Sequence, residues 1–149
     1  MTFRFVDQVL SVEPGERGKI TTLTVIPAAS PYLEGPFNPG VLPSSIVLEA
    51  LAQSAGRLIL ETYPRRGVLL IKVEDIQFFR PLGGGEHLTI RSELLGFHGD
   101  TETTGVASAV GEASVDGAPV AEARLLFLVV RVDGLNVEWE EMLRRAAGS

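Results

Sequence analysis

The chain has 149 residues, 45% of them hydrophobic, enough for one domain with a sizeable core and too few for two. A net charge of −6, from 13 basic and 19 acidic side chains, leaves no basic footprint for nucleic acid or an anionic membrane surface. With no cysteine and only two histidines, His87 and His98, there is no disulfide framework, no thiolate nucleophile and no typical zinc cluster, so neither metal nor cofactor is expected.

From the N-terminus, Met1-Thr2-Phe3-Arg4 leads into strand-like sequence rather than a signal peptide. No apolar run reaches the roughly 20 residues of a spanning helix, and a cytoplasmic location is expected. Phe5 to Val12 reads as a strand, Glu13-Pro14-Gly15-Glu16 as a turn, and Ile20 to Ile26 alternates as a second strand. Pro27 to Leu42 holds four prolines, two glycines and one asparagine, so it runs as an irregular loop of the kind that carries function.

Pro43 to about Thr62 changes to a helical pattern, with Pro43 suited to the first turn. Its apolar residues, from Ile46 to Leu60, surround almost the whole cylinder, which predicts a buried helix. Ser45, Glu49, Gln53 and Arg57, spaced four apart, draw the one polar stripe.

After Tyr63-Pro64, strands are expected over Val68 to Phe79, His87 to Phe97, Thr103 to Val115 and Ala118 to Val132. The last two flank Asp116-Gly117, a strong hairpin signal. Phe78, Phe79, Phe97 and Phe127 read as core or sheet-face aromatics. Gly83-Gly84-Gly85 precedes a strand rather than a helix, so it is a permissive turn and not a phosphate cradle. Val137 to Ala147 suggests a short C-terminal amphipathic helix. One long helix followed by antiparallel strands predicts an α+β domain over residues 1–149 whose sheet curls around that helix.

Gly35-Pro36-Phe37-Asn38-Pro39-Gly40-Val41-Leu42-Pro43 and Glu49-Ala50-Leu51-Ala52-Gln53 resemble the loop and helix of the beta-hydroxyacyl-acyl-carrier-protein dehydratases of the FabZ/FabA type. Phe5 to Leu10 with Glu13-Pro14-Gly15, Phe78 to Leu82 with Gly85-Glu86, and Asp116-Gly117 with Val120 to Ala123 are similar to three further stretches of that family. The resemblance implies a hot-dog fold, a long central helix wrapped by a curved antiparallel sheet. It also implies an acyl thioester on acyl carrier protein or coenzyme A as substrate, and a site shared between subunits of a homodimer or higher homo-oligomer.

By the same resemblance, Glu49 stands for the catalytic carboxylate, buried and lining a pocket. The backbone amide of Ser44 would polarise the thioester carbonyl. Ser45, Phe37, Asn38 and Gln53 would line or support the substrate site. Pro36 stands where the family has its catalytic histidine and supplies neither a titratable group nor an N–H. Three readings follow: a dehydratase or hydratase with a replacement base, a non-catalytic or half-catalytic subunit that binds an acyl chain or supplies Glu49 to a histidine-bearing paralogue, or a hot-dog thioesterase using Glu49 and Asn38.

Overall fold

The structure, a computed structural model, describes residues 6–29, 31–34, 39–99 and 104–131. Six strands and one long helix follow in order: β1 (Gln8–Glu13), β2 (Lys19–Val25), α1 (Ser44–Thr62), β3 (Arg66–Phe78), β4 (His87–Gly99), β5 (Thr104–Val115) and β6 (Ala118–Arg131). They form one sheet in the order β1-β2-β4-β5-β6-β3, antiparallel throughout. Because α1 carries the chain from β2 across to the far edge, β3 ends the sheet beside β6.

Period-two alternation explains which face of the sheet meets the helix. Ile20, Thr22 and Thr24 of β2, and Leu88, Ile90, Ser92 and Leu94 of β4, point inward and are buried. On central strand β5 the inward residues are small: Gly105, Ala107, Ala109, Gly111 and Ala113. That choice lets α1 lie close to the sheet. A Cβ on Gly111 would stand 3.2 Å from Leu51 Cδ2, so the Leu51 side chain fills the space the glycine leaves. Val47, Ala50, Leu51, Ala55, Leu58 and Ile59 complete the core from the helix side. Each fully buried Leu or Ile contributes about 1.5–3 kcal/mol relative to exposure. A polar tie crosses this interior, a 2.9 Å hydrogen bond between the Thr22 and Ser54 hydroxyls.

The Asp116-Gly117 hairpin forms as its sequence predicts. Val115 pairs with Ala118, and the two loop residues have φ of 50° and 80°, both in the left-handed region that a two-residue type I′ turn requires. The glycine turn before β4 is braced on two sides. Gly85 N–H donates to the Ile26 carbonyl and Leu42 N–H to the Leu82 carbonyl, both at 2.8 Å. The turn thereby links the end of β2 to the entry of α1.

Three expectations are corrected. The helix is not buried all round, because one sheet covers one side: Ser44, Ser45, Glu49, Arg57, Leu60 and Glu61 stay exposed. Of the aromatics read as core or sheet-face, Phe127 is buried in the core, whereas Phe78 and Phe79 are 44% and 48% exposed at the end of an edge strand. Strand β1 starts at Gln8, with Val6 and Asp7 outside it, and β3 starts at Arg66 rather than Val68. Phe5 and the expected C-terminal helix from Val137 to Ala147 lie outside the described residues. Among the described residues no helix is long and apolar enough to cross a membrane.

Candidate functional site

The uncovered flank of α1 faces an open groove of about 760 Å³. Its helix wall is Glu49, Ala52, Gln53, Gly56, Arg57 and Leu60. Residues four apart share a helix face, so the polar series Glu49, Gln53, Arg57 and the apolar series Ala52, Gly56, Leu60 run side by side along this wall. Opposite stand Val68, Leu69 and Leu70 of β3, Phe127 of β6, and residues Val6 to Val9, which lead into β1. The helix wall carries polar and apolar groups side by side, and the facing wall is apolar apart from Asp7 and Gln8, so a few polar groups sit within a mostly apolar lining, as in many small-molecule sites.

Within this wall the Gln53 amide donates to Glu49 Oε1 at 3.4 Å, a long contact. Arg57 Nε donates to Glu61 Oε1 at 3.0 Å, an exposed i,i+4 pair that contributes about 0–1 kcal/mol. The Glu49 side chain is exposed in the single chain, not buried as the resemblance implies. In one copy the groove has no cover over the carboxylate.

The helix start lies a little over one turn away. Pro43 precedes it with φ −58° and ψ 141° and provides no side-chain cap. The Ile46 amide bonds to the Pro43 carbonyl at 3.0 Å. In an α-helix the first amides, here those of Ser44 and Ser45, have no intrahelical acceptor and carry the positive end of the helix dipole. Five residues separate Ser44 from Glu49, about 7.5 Å along the axis. Ser44 and Ser45 are exposed and do not line the groove.

Of the residues singled out in the sequence, the groove brings together Glu49 and Gln53 and leaves Ser44 and Ser45 at the adjoining helix start. Pro36, Phe37 and Asn38 lie outside the described residues. His87 and His98 are exposed on β4, and neither lines the groove. Sequence reasoning missed the contribution of β3 and of Ala52, Gly56 and Leu60. A signal existed for one of them: Gly56 interrupts a run of good helix formers.

Residues 1–124 match the FabA-like domain family. The 3-hydroxyacyl-acyl-carrier-protein dehydratase FabZ of Thiobacillus denitrificans is 34% identical over 131 residues, spanning 83% of this chain and 85% of the relative. FabZ of Mannheimia succiniciproducens is 36% identical over 129 residues, spanning 83% and 81%. Among solved structures, the fluoroacetyl-CoA thioesterase FlK superposes with a TM-score of 0.66 at 15% identity, over 89% of this chain and 97% of that one. A hot-dog-like protein from Thermanaerovibrio acidaminovorans gives 0.66 at 14% identity, over 91% and 95%. These two likenesses concern the fold, a hot-dog. With a family match over most of its length and FabZ relatives at this level of identity, the chain belongs to the FabA-like family of hot-dog proteins.

Proposed function

We propose that this protein binds acyl groups carried as thioesters on acyl carrier protein or coenzyme A and supplies one half of a dehydratase's acid-base pair. The observation that carries the reading is the position of Glu49, a carboxylate on the rim of a groove whose remaining lining is largely apolar. Thioester chemistry fits that division. The acyl chain takes the apolar wall, the carbonyl end takes the helix-start amides near Ser44, and Glu49 reaches the acyl carbons next to the carbonyl.

Dehydration of a 3-hydroxyacyl thioester needs two proton events, removal of the alpha proton and protonation of the departing hydroxyl. Glu49 can serve one of them. The histidine that serves the other in the family is replaced by Pro36, and His87 and His98 stand away from the groove. The protein alone is therefore a poor hydratase, and a histidine-bearing paralogue in a mixed dimer would complete it. Edge strand β3 supports assembly of two subunits over the groove. Leu69 and Ile71 on it are 61% and 50% exposed, and an uncovered apolar edge is a surface for pairing.

The test is incubation of enoyl and saturated acyl thioesters with wild type and Glu49→Gln, read by product mass spectrometry and by binding. Binding with little hydration supports the proposal. Robust hydration that vanishes in Glu49→Gln would require a second base within the homo-oligomer and overturn the half-site assignment. Glu49-dependent hydrolysis of the saturated thioester would assign a thioesterase instead, with Asn38 as the loop partner to examine.

A further inference from the structure

We propose that Gly56 sets the length of acyl chain that the Glu49 groove admits; the inference rests on the proposed function and names the determinant within that same site. Glycine inside a helix is unfavourable relative to alanine, because it loses more backbone freedom on folding. A glycine kept there needs a reason, and the usual ones fail. Its φ is not in the left-handed region, where glycine alone is at ease. Nor does packing within the chain demand it: among the described residues, nothing beyond its chain neighbours and the backbone of its own helix turns lies within 4 Å of where a Cβ would stand. Gly111 is the contrast, since its missing Cβ makes room for Leu51. The space beside Gly56 belongs to the groove.

That space has a definite chemistry. Ala52 and Leu60 flank Gly56 one turn away on either side, and Phe127 with Val68, Leu69 and Leu70 stand across the groove. The nearby cation, Arg57, is engaged by Glu61 at 3.0 Å. Gly56 is seven residues beyond Glu49, about 10 Å along the helix axis, so it lies where the distal carbons of an acyl group would run if its reacting end sat at Glu49. A side chain at this position would narrow the groove far from the carboxylate and leave the carboxylate end unchanged. It would therefore discriminate by length and not by headgroup.

The experiment measures binding of butanoyl, octanoyl, dodecanoyl and hexadecanoyl coenzyme A to the full chain as wild type, Gly56→Ala and Gly56→Leu. Melting temperature and solution mass are recorded for each. The expected result is that Gly56→Leu loses about tenfold or more in affinity for the long chains, the scale set by steric discrimination in an apolar pocket, and keeps its affinity for butanoyl coenzyme A. Gly56→Ala should shift the same way by less while melting higher, which separates the effect from damage to the fold. Equal weakening at every length would overturn the inference. So would a fall to monomer with uniform loss of binding, which would make Gly56 a subunit contact. If wild type binds none of the four thioesters, the proposed function fails and this inference with it; if wild type binds and the variants show no length dependence, only this inference fails.

Discussion

The Arg80 guanidinium meets the Glu86 carboxylate at 2.8 Å, across the turn that ties the end of β2 to the entry of α1. The second Glu86 oxygen accepts the Gly83 amide at 2.7 Å, so one carboxylate closes the turn from both sides. Gly84 makes the closure tight: a Cβ there would stand 2.5 Å from the Ala28 carbonyl oxygen. Since Val41 bridges Gly83 on the other side, this turn holds the chain just before the helix start.

The hydrogen bond from Arg80, and then that from Gly83, lower the Glu86 pKa from the usual carboxylate range. A carboxylate more acidic folded than unfolded adds stability above its unfolded value, about 4.3, and that contribution is lost as pH falls through the lower folded value. Wild type should therefore lose stability below about pH 4.3, and Glu86→Gln should have a shallower acid limb. Urea midpoints measured across that range for both proteins check it. Parallel acid limbs would show that Glu86 contributes nothing to the transition.

The Thr22 and Ser54 hydroxyls are both fully buried, and they share a hydrogen bond. Ser54→Ala leaves the Thr22 hydroxyl without this partner in the core, and the expected loss is about 1–3 kcal/mol. Adding Thr22→Val removes the stranded group. The double variant should then cost less than the sum of the two single changes, the mark of coupling between neighbours. Chemical denaturation of all four proteins gives the cycle.

Glycine substitutions should split by location. A Cβ on Gly105 would run into the Phe97 ring and stand 2.8 Å from the His98 carbonyl oxygen, so Gly105→Ala forces β4 and β5 apart and should cost about 1–3 kcal/mol. Gly56→Ala meets open space in a helix and should gain about 0.5–1 kcal/mol. Opposite signs in thermal melts would bear this out.

These sites also mark how far the sequence could be read. Strands β2 and β4 to β6 were legible because alternation over a half-buried sheet is a local pattern, and Asp116-Gly117 because its turn tolerates few residue types. The polar stripe from Ser45 to Arg57 marked part of the exposed flank of α1, but the apolar series Ala52, Gly56 and Leu60 beside it was not legible as groove wall. An apolar helix has the same composition whether one sheet or two layers cover it, and Leu60 carries no mark of which. The edge position of β3 was hidden for a related reason, since strand order depends on pairing with β6, far along the chain. Glu49 and Gln53 were found by motif resemblance, whereas the wall facing them required the folded chain.

Assembly is the remaining test of the groove, and Leu69 is the residue to change. It is 61% exposed on the edge strand and lines the groove, so within one copy it has little packing to lose. Leu69→Lys should alter the stability of an isolated subunit by no more than about 0.5 kcal/mol. If β3 edges meet in a dimer, two facing copies of the new charge would be brought together out of water, which is costly. A charged edge is also how natural sheets resist pairing. The expectation is a wild-type mass of at least two chains by light scattering at micromolar concentration, and a monomer with unchanged circular dichroism for Leu69→Lys. Acyl-thioester affinity should fall with the dimer, because the cover over Glu49 would be lost. A wild type that is monomeric yet binds acyl thioesters tightly would show that one copy suffices, and would place the reacting groups entirely within the open groove.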